Sequence, residues 1–555
     1  IAFQSGTSDK DVAKKGREKE GRRDEEHESD VRVITRAVYR LNGAGYHDLE
    51  HPNHIWLVDL PAGTPRRLTF GPSTDGEPVW SRDGKQIYVT VDRVKESYYA
   101  AQRNELDAVP AAGGEPVKIV AFDCNIGPFA PSPDGRWIAF VGTENANPVR
   151  SYDEPDLFVV ASAPGSSAKN LTTAYDFDVT AGGSLAGDQH APRGAHPSRP
   201  VWSADGRSIV VSAIERGRVN LHRFDAASGK ETAVTTGDHE VVSFNPGPSA
   251  TKLAIVVSTP TEIGDLFWLD AASGKLARLT SVNQELWSEL KLTPPDDVTY
   301  KSFDGKTIEA WVQKPPDFDP AKKYPLILNI HGGPHGAYGF GFDHEFQWMA
   351  AKGYVVLYPN PRGSTSYGQE FGNVIQFHYP GDDFKDLMAG VDLLLAKGLL
   401  DEQKLGITGG SGGGILTNWA ITQTDRFAAA VAQRSIADWY SFWFTADFPQ
   451  FENNWFRAAP WQDPKDFAAR SPITFVDKVK TPLMLIEGEA DLRTPSGSGG
   501  EQMFRALKYL KKPVVMVRFP GETHDLSRVG QPWHRVERLQ HIVGWFDRYL
   551  QGKKT

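Results

Sequence analysis

Along the first half of the chain, apolar residues come in short alternating runs separated by polar turns. Ser81-Arg82-Asp83-Gly84, Ser132-Pro133-Asp134-Gly135 and Ser203-Ala204-Asp205-Gly206 are followed by Ile87-Tyr88-Val89, Ile138-Ala139-Phe140 and Ile209-Val210-Val211. An Asp-Gly turn before alternating apolar residues predicts a β-hairpin, because Gly takes the left-handed conformation a tight turn needs. A second element is a strand, a Gly turn and a strand ending in Leu-Thr. It runs from Ile55 to Thr69, from Leu157 to Thr172 and from Leu266 to Thr280, with weaker copies near Leu106 and Leu221. Units of four short strands recur at roughly 45 to 65 residues, the pattern of β-propeller blades; an irregular β-sandwich is the alternative. The pattern holds about four complete units and the tail of another, to which Ile1-Ala2-Phe3 belongs.

The pattern changes near residue 283. Glu285-Leu286-Trp287 and Pro294-Pro295 mark the junction. Beyond it, buried-strand runs alternate with helical periodicity, which predicts a mostly parallel sheet covered by helices. Leu326–Ile330, Val355–Tyr358, Leu483–Ile486 and Val514–Val517 read as strands, Asp382–Leu399 as an amphipathic helix, and Trp533–Leu550 as the closing helix. The chain therefore divides into a β-propeller over 1–283 and an α/β domain with a mostly parallel sheet over 284–555.

At 555 residues the chain has room for two or more domains. A net charge of −9 leaves no footprint for nucleic acid or an anionic membrane surface, and no apolar run is long enough to cross a bilayer. The single cysteine, Cys124, excludes an internal disulfide and a cysteine-based metal site. The mixed-charge run Lys14–Glu26 reads as a solvated loop or short exposed helix. The opening Ile1-Ala2-Phe3-Gln4 lacks an initiator Met and reads like the inside of a strand, so the natural N-terminus, with any targeting segment, is expected to be missing. Cytoplasm and periplasm both stay open, as does a homo-oligomer.

Candidate chemistry centres on Gly409-Gly410-Ser411-Gly412-Gly413, between the strand-like Leu405–Thr408 and the helix-like Ile415–Ile421. A strand, a Gly-rich turn around a Ser and a helix form a nucleophile elbow. A flexible linker has a similar composition, but it rarely sits flush between two apolar periodic segments. A hydroxyl needs a base, itself oriented by an acid. In the elbow fold the order is Ser, acid, His, which selects Asp491 and His524. Glu487 and Glu489 are rival carboxylates on the same loop; His534 and His541 lie in the last helix and read as surface or packing residues. The N–H of Gly412, with that of Gly333 in His331-Gly332-Gly333-Pro334-His335-Gly336, is the candidate oxyanion hole.

These motifs, together with Asn360-Pro361-Arg362-Gly363-Ser364, Gln433-Arg434-Ser435 and Arg518–His524, resemble the prolyl oligopeptidase family of serine peptidases, most closely its acylaminoacyl-peptidase branch. The likeness covers the whole second half; the first half resembles the family in its repeats only. It implies a seven-bladed propeller capping an α/β-hydrolase, a site in the cavity between them, short peptides as substrates and folded proteins excluded. It implies no metal or organic cofactor, and it carries the triad onto Ser411, Asp491 and His524. Two departures stand out. Many members have Tyr where this chain has Gly412, which puts one wall of the pocket in doubt. The visible units fall short of seven, so about two N-terminal blades are expected to be absent. Arg493 is a candidate for binding a substrate carbonyl or carboxylate, with a structural ion pair as the alternative. Trp439, Phe442 and Trp443 are candidates for an apolar pocket, with plain core as theirs. A serine exopeptidase or oligopeptidase acting through an acyl-enzyme follows; a carboxylesterase, or dipeptidyl- or aminopeptidase specificity, stays open.

Overall fold

A computed structural model describes residues 1–19, 29–48, 50–61, 63–96, 98–100, 103–183, 185–187, 198–247, 251–449 and 451–553. The Asp-Gly turns form as the pattern requires. Ser81, Ser132 and Ser203 each donate a hydroxyl to the Asp two residues on, and Gly84, Gly135 and Gly206 sit at φ near +70°. Each turn hands the chain to a long strand, at Gln86–Asp92, Trp137–Glu144 and Ser208–Glu215.

The hairpins assemble into successive antiparallel units. The first has three strands, Ala2–Ser5, His54–Leu57 and Arg66–Arg67, so the opening residues do pair with the next repeat. Four-stranded units follow over 79–121 and 124–170. Two more, over 178–233 and 240–278, are joined into one sheet through a single parallel pair, Val219 with Glu240. Neighbouring units pack face to face through apolar clusters: Ile55 with Ile87, Leu106 with Phe140, Val141 with Ile209, and Leu221 with Ile255. Radial stacking of this kind is how propeller blades bury both faces of each sheet. Among the described residues, no such cluster joins the first unit to the fifth. All five units border a common cavity of about 840 Å³, lined by Phe3, Pro78, Ala130, Val201 and Asn245 among others. The short helix Asp9–Lys19 leaves Val12 exposed, as a solvated segment should; residues 20–28 of the charged run lie outside the described residues.

The second half forms one eight-stranded sheet. Numbered along the chain, its strands lie in the order 1-2-4-3-5-6-7-8; the first two pairings are antiparallel and the rest parallel. The expected strands appear at Tyr324–Ile330, Val355–Asn360, Leu483–Gly488 and Val514–Phe519, and the expected helices at Asp382–Ala396 and Pro532–Leu550. Core clusters cover both faces: Leu328, Leu357 and Ile407 pack under Leu387 and Ile415, while Ile327, Val356 and Val431 meet Ile542 and Phe546. In parallel sheets of this kind, chemistry collects where the strands end.

The two halves touch along a tight seam. Gly217, at φ +71°, donates its N–H to Ser366 Oγ at 2.8 Å, and its carbonyl accepts from Phe340 N–H at 2.9 Å. Arg218 bridges to Asp297 and Glu309 at 2.7 and 3.2 Å.

Candidate active site

The connections at the carboxyl ends of the parallel strands meet at one cavity of about 450 Å³. Strand Leu400–Gly410 runs into the turn at Ser411, and helix Gly412–Gln423 starts immediately after. Ser411 sits at φ +59°, ψ −118°, a conformation that L-residues rarely hold. The glycines around it are sterically required. A Cβ on Gly409 would lie 2.6 Å from Gly413 backbone, one on Gly413 2.0 Å from Ile330 O, and one on Gly414 2.6 Å from Gln433 O. The Ser411 N–H is fixed to Gln433 O at 3.0 Å, and its hydroxyl takes no hydrogen-bond partner among the described residues. A linker would show none of this confinement.

Of the three candidate carboxylates on this loop, the geometry places one beside His524. His524 Nδ1 lies 2.8 Å from Asp491 Oδ2. Asp491 Oδ1 accepts the N–H groups of Arg493 and Thr494 at 2.9 and 2.8 Å, and Thr494 Oγ1 donates to Oδ2 at 3.0 Å. Both oxygens of the carboxylate are thus engaged. Glu487 and Glu489 go elsewhere. Glu487 is fully buried with neither oxygen hydrogen-bonded, and burial pushes its carboxyl well above the usual range. Glu489 pairs with Arg518 at 3.1 Å. His534 bonds Glu522 and packs on Phe519, as a structural residue does. His524 is 8% exposed, and both burial and the nearby Arg434 and Arg528 lower its pKa below the ordinary histidine value, against the pull of Asp491.

The loop after strand Tyr324–Ile330 closes over Ser411. A Cβ on Gly332 would stand 3.2 Å from Ser411 Cβ, and one on Gly412 3.1 Å from Gly333 N. The Gly333 and Gly412 amides are therefore neighbours, and neither N–H has a protein acceptor among the described residues. Gly333, at φ +123°, takes a conformation that only Gly holds without strain. The loop is tied by His331, bonded to Ser364 Oγ at 2.9 Å, and by His335, bonded to Gly363 O at 2.9 Å. Burial brings both imidazoles down to about 4, so they are neutral structural groups.

Trp439 and Phe442 lie in the short helix Trp439–Thr445, capped by Asp438, and both line the cavity while belonging to the core. Trp443 corrects the expectation: it packs on Phe451 and Phe467 and does not reach the cavity. Instead Phe448 and Trp455 extend the wall, with Tyr379, whose hydroxyl donates to Gly412 O at 2.6 Å. Arg493 lines the cavity and makes the ion pair given as its alternative, its Nε bonding Asp447 at 2.6 Å.

Asn42 was not foreseen. It belongs to the hairpin Arg40–Leu41/Gly45–Tyr46, which the first propeller unit sends to the hydrolase loops. Its Oδ1 accepts from His524 N–H at 3.0 Å, its Nδ2 donates to Asp525 at 3.1 Å, and its N–H donates to Asp447 at 2.7 Å. Leu185, Ala186 and Gly187, from an insertion within the fourth unit, also border the cavity.

The sequence model of the prolyl oligopeptidase family matches residues 340–553. The uncharacterized peptidase YuxL of Bacillus subtilis is 32% identical, over 89% of this chain and 86% of its own. Dipeptidyl-peptidase 5 of Porphyromonas gingivalis is 26% identical, over 94% and 75%. The solved acylaminoacyl peptidase of Pyrococcus horikoshii superposes with a TM-score of 0.78 at 24% identity, covering 95% of this chain and 79% of that one. The fold is a β-propeller with an α/β-hydrolase. The chain belongs to the prolyl oligopeptidase family of serine peptidases.

Proposed function

We propose that this peptidase hydrolyses short peptides through an acyl-enzyme on Ser411, as an exopeptidase or oligopeptidase of the acylaminoacyl-peptidase type, with residues 1–283 as the cap and 284–555 as the catalytic domain. The observation that carries the reading is the 2.8 Å bond from His524 Nδ1 to Asp491, at a cavity that Ser411 enters from a strained left-handed turn. Asp491 orients His524 with Nε2 free to act as base. His524 takes the Ser411 proton as Oγ attacks the carbonyl carbon, then gives it to the leaving amine. The Gly333 and Gly412 N–H groups hold the oxyanion, and water then releases the acyl group by the same steps. The aromatic wall of Tyr379, Trp439, Phe442, Phe448 and Trp455 takes the side chain of the acyl residue. None of these steps calls on a metal or organic cofactor.

Initial rates on three alanine substrates test the reading: an N-acetylated anilide, a free-amine anilide and a simple ester, with Ser411→Ala as control. Fastest cleavage of the acetylated anilide is expected. Preference for the free amine would move the assignment to an aminopeptidase, and cleavage of the ester alone to an esterase.

A further inference from the structure

Arg434 follows strand Ala429–Gln433, with its backbone at φ +37°. Its N–H donates to Ile486 O at 2.7 Å, which fixes the main chain. The guanidinium lies against the nucleophile turn: a Cβ on Gly410 would stand 2.8 Å from Arg434 Cζ. It lines the cavity that Ser411 and His524 share.

Its charge is unmatched. Nη1 donates to Ser527 Oγ at a long 3.3 Å, and Nε is buried without an acceptor. Among the described residues, no carboxylate comes within ion-pair distance of it. The other arginines of the cavity are occupied: Arg493 by Asp447, Arg528 by Asp525, and Arg538 by Glu345 and Gln433. Burial, with Arg528 and Arg538 nearby, brings the Arg434 pKa down to about 9 despite the pull of Asp491 and Glu345, so it is still a cation at neutral pH. A desolvated, unpaired guanidinium is costly to keep, and it is the natural complement of an anion arriving with the substrate.

The chemistry says which part of the substrate brings it. His524 protonates the leaving amine, so the leaving residue lies on the His524 side of the scissile bond. Arg434 stands on that side. Ser527, its hydrogen-bond partner, belongs to the short helix Leu526–Val529 just after His524, and the Arg434 charge acts on the His524 ring. The aromatic wall also borders the cavity, and the guanidinium against it, Arg493 over Phe448, is already paired with Asp447.

We propose that Arg434 binds the free C-terminal carboxylate of the leaving residue, so that the enzyme removes the last residue of short peptides. This rests on the Ser411 reading alone and places the cleaved bond at the C-terminal end of the peptide, in place of the N-terminal end that the acylaminoacyl-peptidase type implies. The C–N bond before the last residue breaks, the acyl part joins Ser411 Oγ, and the released amino acid takes its proton from His524. Water hydrolyses the ester. Arg434 offers N–H groups in the fork geometry that a carboxylate accepts.

The test is an N-acetylated tripeptide with a free C-terminal carboxylate against the same peptide as its C-terminal amide, followed by release of the last residue. The wild type should favour the carboxylate by about tenfold or more in kcat/KM, mainly through KM. Arg434→Gln should bring the ratio close to one, and Arg434→Lys should keep part of it. Fluorophosphonate labelling of Ser411 and thermal unfolding report separately whether each variant is folded with a working nucleophile. A wild-type ratio at or below one overturns the proposal, as does an unchanged ratio in a folded, labelled Arg434→Gln enzyme. Should that variant not fold, the wild-type ratio and Arg434→Lys decide. A wild type that neither labels nor turns over would contradict the Ser411 reading instead.

Discussion

Asp491 is held by three donors besides His524, whereas Glu489, two residues away, faces Arg518. Asp491→Asn should therefore lower kcat by about a thousandfold or more, since the wrong imidazole tautomer is then favoured, while Glu489→Gln stays within about twofold. Equal losses in the two variants, measured by steady-state kinetics, would contradict the assignment. The base must be neutral to act, so kcat/KM falls as pH drops through the His524 pKa. Burial, Arg434 and Arg528 lower that pKa and Asp491 raises it, with a net downward direction. The acid-side half-maximum of kcat/KM should lie below about pH 6.5; a value above it would contradict the electrostatic account. Chain order and strand-end position singled out Asp491 and His524 in the sequence, and the fold brings the two within 2.8 Å of each other. Arg434 was visible only as part of a motif, since sequence shows which residues are charged but not which charges lack partners.

At the scale of elements, the elbow was readable because its glycines answer to local sterics: a Gly413 Cβ would collide with Ile330 O at 2.0 Å. Helix and strand limits followed apolar periodicity for the same reason. The hairpin carrying Asn42 left no such trace, because its contact with His524 spans 482 residues of sequence and rests on one polar side chain. Nor did the sequence separate Trp443 from Trp439 and Phe442: three aromatics on one short helix are alike until packing turns one of them away from the cavity. Asn42 fixes the His524 backbone and, through its own N–H, the Asp447 that orients Arg493. Asn42→Ala should lower kcat by about ten- to a hundredfold with little change in Tm, because a displaced base costs rate rather than stability. An unchanged kcat would show that the hairpin is only a surface cover.

At the scale of the whole molecule, the repeats announced the propeller through their Asp-Gly turns, and the mostly parallel, helix-covered sheet of the second half followed from alternating strands and helices, though not the order of its strands. The joining of the two was not readable, because it depends on close approach between distant backbones. At Gly217 a Cβ would lie 2.5 Å from Trp311 and 2.9 Å from Gly339 Cα, on a residue already at φ +71°. Gly217→Ala should cost about 1–3 kcal/mol and lower Tm by several degrees. Calorimetry showing an unchanged Tm would mean that the seam yields without penalty.

The central claim is that Ser411 is the nucleophile of this peptidase. Its most direct test is labelling with a fluorophosphonate, followed by mass mapping of the modified peptide and parallel assay of Ser411→Ala. The account predicts a single stoichiometric adduct on Ser411, complete loss of peptide turnover on labelling, and neither label nor more than about a thousandth of wild-type activity in the variant. An adduct on another residue, or a variant that still cleaves peptides at more than about a tenth of the wild-type rate, would contradict it.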